Sequence, residues 1–175
     1  SDRYTGDPAD APMLDLIFAV DDPVSWHLEN KRLNPGHYTS LLSALPHLSG
    51  TSNMALTLNR WQAIVIAYFQ EEYGAKVWFN AMVPMGIPSA SKRLMKYGVI
   101  STTALIEDMQ NWHSLYIAGR LHKPIRVIYS NTQTFTTASA SHTSEIDFHA
   151  LMKQNYKYAV ATAVLLNAPD QADSS

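Results

Sequence analysis

The stretch Met13–Pro23, MLDLIFAVDDP, sets the architecture. Residues 13–20 are apolar on both alternating faces except at Asp15, and Asp21-Asp22-Pro23 closes the run. Apolarity on both faces predicts a strand buried on both sides rather than a half-exposed one. With period 2, Asp15 shares a face with Ile17, Ala19 and Asp21, while Leu14, Leu16, Phe18 and Val20 take the other. A carboxylate in such a strand is costly unless something pairs with it. Asp15 is therefore the first candidate functional residue.

Working outward, Asp22-Pro23 reads as an N-cap with proline at the first helical position, opening a short helix through Trp26 and Leu28. Asn34-Pro35-Gly36 breaks it, and a second helix is expected over His37–Leu45, ending at Pro46. Asn53–Tyr73 carries a helical stripe (Met54, Leu58, Trp61, Val65, Tyr68) with Gly74 as its C-terminal cap. Lys76–Val83 and Arg93–Ile100 read as strands of a hairpin joined by the Pro/Gly/Ser loop Pro84–Ser91. Ser101 or Thr102 caps a helix through Trp112 and toward Leu121. Pro124–Tyr129 is a further expected strand, and residues 131–143 form a Ser/Thr-rich loop. Ser144 and Asp147 resemble a capping box before a final helix through Leu166. The fold class is α/β (α+β), a mixed sheet flanked by helices, expected as a single domain over residues 1–175.

Composition narrows the function. The chain has 175 residues, 46% hydrophobic and only 16% charged, with a net charge of -2. A low charge density with an ordinary apolar fraction excludes a disordered tail and a charge-driven nucleic-acid module. No cysteine is present, which removes disulfide scaffolds, thiolate zinc sites and cysteine nucleophiles. No apolar run approaches the roughly 20 residues needed to cross a bilayer. The histidines show no HExxH spacing, and GxGxxG, P-loop and GxSxG patterns are absent. The four tryptophans sit at core-like positions, which speaks against a base-stacking platform.

A second acidic anomaly lies on the helix after Ser101. At 100° per residue Ala104, Leu105, Met109, Trp112 and Tyr116 share a face, and Asp108 falls inside it. By itself an inward aspartate is most often structural; two in one small domain lower those odds without reversing them. A divalent magnesium ion would offset the cost of burying both. Basic residues cluster at Lys92, Arg93 and Lys96, and again at Arg120, Lys123 and Arg126. Lys96 shares a strand face with Leu94 and Gly98, from which it could reach a triphosphate or snorkel to water. The final helix, with only Lys153 and Lys157, reads as core packing rather than a basic amphipathic surface.

Asp15–His27, DLIFAVDDPVSWH, and Lys96–Pro124, KYGVISTTALIEDMQNWHSLYIAGRLHKP, closely resemble the mitochondrial translocator assembly and maintenance family. These are the mitochondrial phosphatidate cytidylyltransferases, or CDP-diacylglycerol synthases. His37-Tyr38, Tyr73-Gly74-Ala75 and the final helix match more weakly. The resemblance implies a nucleotidyltransferase-like fold on the matrix face of the inner mitochondrial membrane, held peripherally. It implies magnesium-dependent conversion of CTP and phosphatidic acid to CDP-diacylglycerol and pyrophosphate, feeding cardiolipin synthesis. It carries Asp15 and Asp108 as catalytic and metal-binding candidates, and Lys96, Tyr97, Arg120 and Lys123 as substrate-binding ones. No nucleic-acid partner is implied, and a homo-oligomer is compatible.

Three departures from the family pattern stand out. The Gly-Ser signature expected before the strand carboxylate is absent, since Gly6 has no following serine. Ile17 occupies the second position of the usual Asp-x-Asp pair. Family members are also longer, so the chain is read as the middle of an enzyme. The alternative to catalysis is a scaffold role in translocator assembly.

Overall fold

The run that opened the reading is a strand, β1 (Leu14–Val20), in a computed structural model that describes residues 12–38, 53–85, 93–128, 134–139 and 142–166. Two compact units arise, Ser1–Ser101 and Thr102–Ser175. Each is taken by itself.

In the first unit β1 pairs in parallel with β3 (Leu94–Ser101), and β3 pairs antiparallel with β2 (Val77–Pro84), giving the order β1-β3-β2. The expected antiparallel pairing of the last two strands is present. The expected double burial of β1 is not: β1 is an edge strand, its residues half-buried or exposed, and Asp15 is exposed. An apolar run on both faces identifies a strand but cannot say whether it lies at the centre or the edge of a sheet. The centre here is β3, buried from Tyr97 to Ser101. Gly98 is required at its middle, because a Cβ there would stand 2.7 Å from the Phe79 ring and 2.9 Å from Ile17 and Val77 side-chain carbons.

Helix α1 (Pro23–Leu33) begins as expected: Asp22 caps it by accepting the Ser25 N–H at 3.1 Å, with Pro23 at the first position. The Ser25 hydroxyl, donating to the same carboxylate at 2.5 Å, and this N–H hold the Asp22 carboxyl below its usual range. After Asn34 the chain makes a 3-10 turn, Pro35–His37, and Tyr38 is extended. The helix expected from His37 therefore does not start there, and its remainder lies outside the described residues.

Helix α2 (Asn53–Glu72) has the expected bounds but the opposite buried face. Gln62, Ala63, Ile66, Ala67 and Gln70 are buried, while Trp61, Tyr68 and Phe69 are 61%, 55% and 50% exposed. Small and amide side chains let α2 approach α1 closely, and the bulky aromatic stripe is left outward; Tyr68, Phe69 and Tyr73 pack on one another. Gly74 closes the helix, its N–H reaching the Phe69 carbonyl at 3.1 Å.

The second unit holds α3 (Thr102–Asn111), α4 (Tyr116–Arg120), the hairpin β4 (Thr134–Ser139) with β5 (His142–Asp147), and α5 (Phe148–Leu166). The helix expected to run through Trp112 stops at Asn111, and Trp112 and Leu115 take positive φ values of 54° and 59°. The strand expected over Pro124–Tyr129 is not formed among the described residues: 124–128 carry no regular structure, and Tyr129 lies outside the described set. The expected loop 131–143 instead contains β4 and the start of β5; its β-branched threonines suit a strand, which a low-complexity reading overlooks. Ser144 belongs to β5, opposite Thr137, and Asp147 rather than Ser144 caps α5 by accepting the His149 N–H at 2.9 Å.

Candidate active site

Strand alternation divides the sequence-selected residues of the first unit between two faces of the sheet. Asp15 and Lys96 are register partners on adjacent parallel strands, so their Cα atoms lie roughly 4.8 Å apart and their side chains leave the same face. The Lys96 ammonium stands 4.4 Å from the centre of the Phe79 ring, an attraction between a cation and the negative face of an aromatic ring. Phe79 reaches this position because Gly98, its cross-strand partner, has no side chain to obstruct it. An accessible carboxylate beside a half-buried ammonium can bind a polyphosphate from two sides. The lysine attracts its oxygens, and the carboxylate can hold a cation that screens them.

Tyr97 follows Lys96 and so points the other way, beneath α1. It does not share a pocket wall with Lys96. Its ring packs edge-on against Phe18 and Trp26, and its hydroxyl joins a buried polar chain. Asn30 Nδ2 donates to both phenol oxygens, Tyr38 at 2.9 Å and Tyr97 at 2.8 Å. His27 Nδ1 lies 3.1 Å from the Tyr38 hydroxyl, its Nε2 3.0 Å from Gln70 Oε1, and His37 Nδ1 2.9 Å from the Tyr97 hydroxyl.

One carboxylate sets the direction of every proton in this chain. Glu71 accepts from Gln70 Nε2 at 3.2 Å, so Gln70 presents its oxygen to His27, and His27 carries its hydrogen on Nε2. Its Nδ1 then accepts from Tyr38, whose oxygen accepts from Asn30. Asn80 lies beside the same phenols, its oxygen accepting the Trp78 indole N–H at 3.1 Å. Tyr97, whose oxygen accepts from Asn30, can give its hydrogen to His37 Nδ1, the arrangement that goes with the Nε2–H tautomer of His37. Burial pushes both histidines below the ordinary imidazole range, and His27 is fully enclosed. It also raises both phenols.

The sequence reading missed His27, Asn30, His37, Tyr38 and Gln70 as a group. The available signal was polar residues at helical spacing (His27, Asn30, Asn34) on α1, together with His37-Tyr38 after the break.

In the second unit Asp108 is inward as expected, 2% exposed. Its oxygens are engaged by backbone: Oδ1 accepts from Ser114 at 2.6 Å and Leu115 at 2.7 Å, Oδ2 from Ile117 and Ala118 at 2.9 Å each. Those four donors account for the burial of the carboxylate without an ion. Asn155, fully buried on α5, completes the support: it accepts the Trp112 indole N–H at 2.9 Å and donates to the Ala118 carbonyl at 2.9 Å. Together the two side chains hold the positive-φ turn between α3 and α4. Arg120 ends α4 half-buried, and Lys123 is exposed. Among the described residues no group of three or more His, Asp or Glu side chains is placed to hold a metal.

The fold class is thus mixed α/β, a three-stranded mixed sheet with flanking helices. A family model described as mitochondrial phosphatidate cytidylyltransferase matches residues 3–174, and the chain belongs to that family. It is similar to the rat protein of that name at 39% identity over 155 residues, covering 89% of this chain and 36% of the relative. The zebrafish protein is 46% identical over 116 residues, covering 66% and 28%, and the human protein 36% identical over 154 residues, covering 88% and 26%. The chain therefore spans about a third or less of the length of these curated relatives. Among the described residues no helix is long and apolar enough to cross a membrane.

Proposed function

We propose that this chain supplies the nucleotide-handling part of a CTP:phosphatidate cytidylyltransferase, at the matrix side of the inner mitochondrial membrane, making CDP-diacylglycerol for cardiolipin synthesis. The observation that carries the reading is the family match over residues 3–174. The pairing of an exposed Asp15 with a half-buried Lys96 supports it chemically. A phosphate oxygen of phosphatidate attacks the α-phosphorus of CTP, that P–O bond forms as the bond to pyrophosphate breaks, and no protein nucleophile is needed. Catalysis of this kind consists mainly of positioning and charge neutralisation.

Asp15, exposed to solvent, fits a magnesium ion as one carboxylate ligand; Asp108, buried with both oxygens engaged by backbone donors, does not. Bound at Asp15, magnesium would neutralise triphosphate charge. Lys96 holds the phosphates, oriented by the Phe79 ring, while Tyr97, bonded to Asn30 and His37, braces the strand from behind. Arg120 and Lys123 remain candidates for phosphate contact.

The test is Asp15→Asn with calorimetric titration of CTP, with and without magnesium, alongside turnover in the full-length enzyme. Because Asp15 is exposed, folding should change little, about 0.5 kcal/mol or less, while magnesium-dependent CTP binding and product formation are lost. Near-normal turnover in the variant would rule out the role given to Asp15. A wild-type chain that binds no CTP would favour the scaffold alternative.

A further inference from the structure

The final helix departs most from its expected role as core packing, and the departure has a chemical pattern. Of α5 only Leu151 and Asn155 are buried; Val160, Val164, Leu165 and Leu166 are 63–80% exposed. Between α5 and the irregular segment 124–128 runs a groove of about 970 Å³, within the range of roughly 300–1,000 Å³ typical of small-ligand sites. Ile125 and Val127 line one side, and Met152, Tyr156 and Val160 the other. Tyr156 ties the two sides together, donating to the Leu121 carbonyl at 3.3 Å and stacking on His122 with ring centres 5.6 Å apart.

Charge is arranged along the same helix. His149, Lys153 and Lys157 also line the groove, all exposed and four residues apart, so they form one row along α5. No aspartate or glutamate occurs over residues 109–144 or 148–166, whereas Arg120, Lys123, Arg126, Lys153 and Lys157 do. A chain of net charge -2 has therefore cleared acids from this region; the nearest, Asp147, is occupied capping the helix. After Lys157 the helix is uncharged to its end, YAVATAVLL. From Lys157 to Leu166 is roughly 14 Å at 1.5 Å per residue. One leaflet of hydrocarbon is roughly 15 Å deep. A row of cations leading into an apolar track of that length complements one kind of molecule, an anionic head joined to a hydrocarbon tail.

We infer that this groove binds phosphatidate presented by a bilayer, its phosphate monoester on Lys153 and Lys157 and an acyl chain along Met152, Tyr156 and Val160. The inference rests on the proposed function for the identity of the lipid. It assigns capture of the lipid substrate to α5.

The experiment uses the full chain and vesicles of phosphatidylcholine alone, or with 20 mol% of either phosphatidate or phosphatidylserine (on the order of the acidic-lipid content of a cytoplasmic leaflet). Co-sedimentation should be strongest with phosphatidate. Lys153→Gln with Lys157→Gln should weaken it about thirtyfold, two cations lost at an anionic surface. Val160→Asp, at an exposed site that tolerates the change in the free protein, should weaken it comparably. Equal binding to all three vesicles, equal binding to the two acidic ones, or unchanged binding by the variants would overturn the inference. In the full-length enzyme the Lys153/Lys157 variant should raise KM for phosphatidate with KM for CTP unchanged. Preferential phosphatidate binding through this groove without cytidylyl transfer would defeat the proposed function alone; transfer with an unaltered lipid KM in the variant would defeat the groove alone.

Discussion

Replacing Asp108 by asparagine separates a structural aspartate from a metal ligand, and its size can be worked from four distances. The carboxylate is 2% exposed and accepts N–H bonds of 2.6, 2.7, 2.9 and 2.9 Å, two on each oxygen. An asparagine keeps one oxygen and turns an NH2 group toward the other two donors, whichever way the amide lies. Two bonds to a charged acceptor are lost, each contributing about 1.5–3 kcal/mol; the expected destabilisation is about 4 kcal/mol. For a chain of this size 1 kcal/mol moves Tm by about 2–4 °C, so the Tm of the chain should fall by about 8–16 °C. Circular dichroism melts measure the shift. Amide exchange at Ser114, Leu115, Ile117 and Ala118 localises it, because those are the donors released. Any stabilisation that magnesium gives the wild type should persist in the variant. A Tm within 2 °C of wild type with protection retained at the four amides, or selective loss of the magnesium response, would refute this account.

Two further outcomes follow from the first unit. Gly98→Ala places a Cβ within 3.0 Å of Phe79, Ile17 and Val77, and overpacking of this kind costs about 1–3 kcal/mol; a denaturant melt of the variant matching wild type would show that the sheet face yields more easily than its spacing suggests. Burial holds the folded-state pKa of His27 below the ordinary value of 6.5, so its neutral form contributes stability that is fully present above pH 6.5. That contribution is lost as pH falls through the depressed value. Melts from pH 7 down to pH 5 should show falling Tm, and His27→Gln, though less stable throughout, should have a shallower slope. An unchanged slope would mean that His27 does not titrate between the folded and unfolded states.

Local chemistry carried much of the architecture. Asp22-Pro23 started a helix, Gly74 stopped one, and the strands around Phe79 and Gly98 could be placed from β-branched and aromatic runs, because caps and period-2 patterns act over a few residues. Asp108 could be called inward for the same reason, as one charge on an otherwise apolar helical face. What periodicity leaves open is which partner an element meets. Two outward stripes look alike until packing selects one, and on α2 the selected face was Gln62, Ala63, Ile66, Ala67 and Gln70 rather than the aromatics.

The same distinction runs through the site. The sequence by itself determined the family, the α/β class, and the separation of Lys96 from Tyr97 by one residue, hence onto opposite faces of a strand. Only the tertiary structure decided that Asp15 stands at an open edge, that Asp108 is held by four backbone donors, and that Tyr97 closes a chain of hydrogen bonds from Gln70 to His37. Burial and hydrogen-bond partnership belong to pairs of elements far apart in the chain, such as His27 with Gln70, 43 residues away. No pattern within one element encodes them.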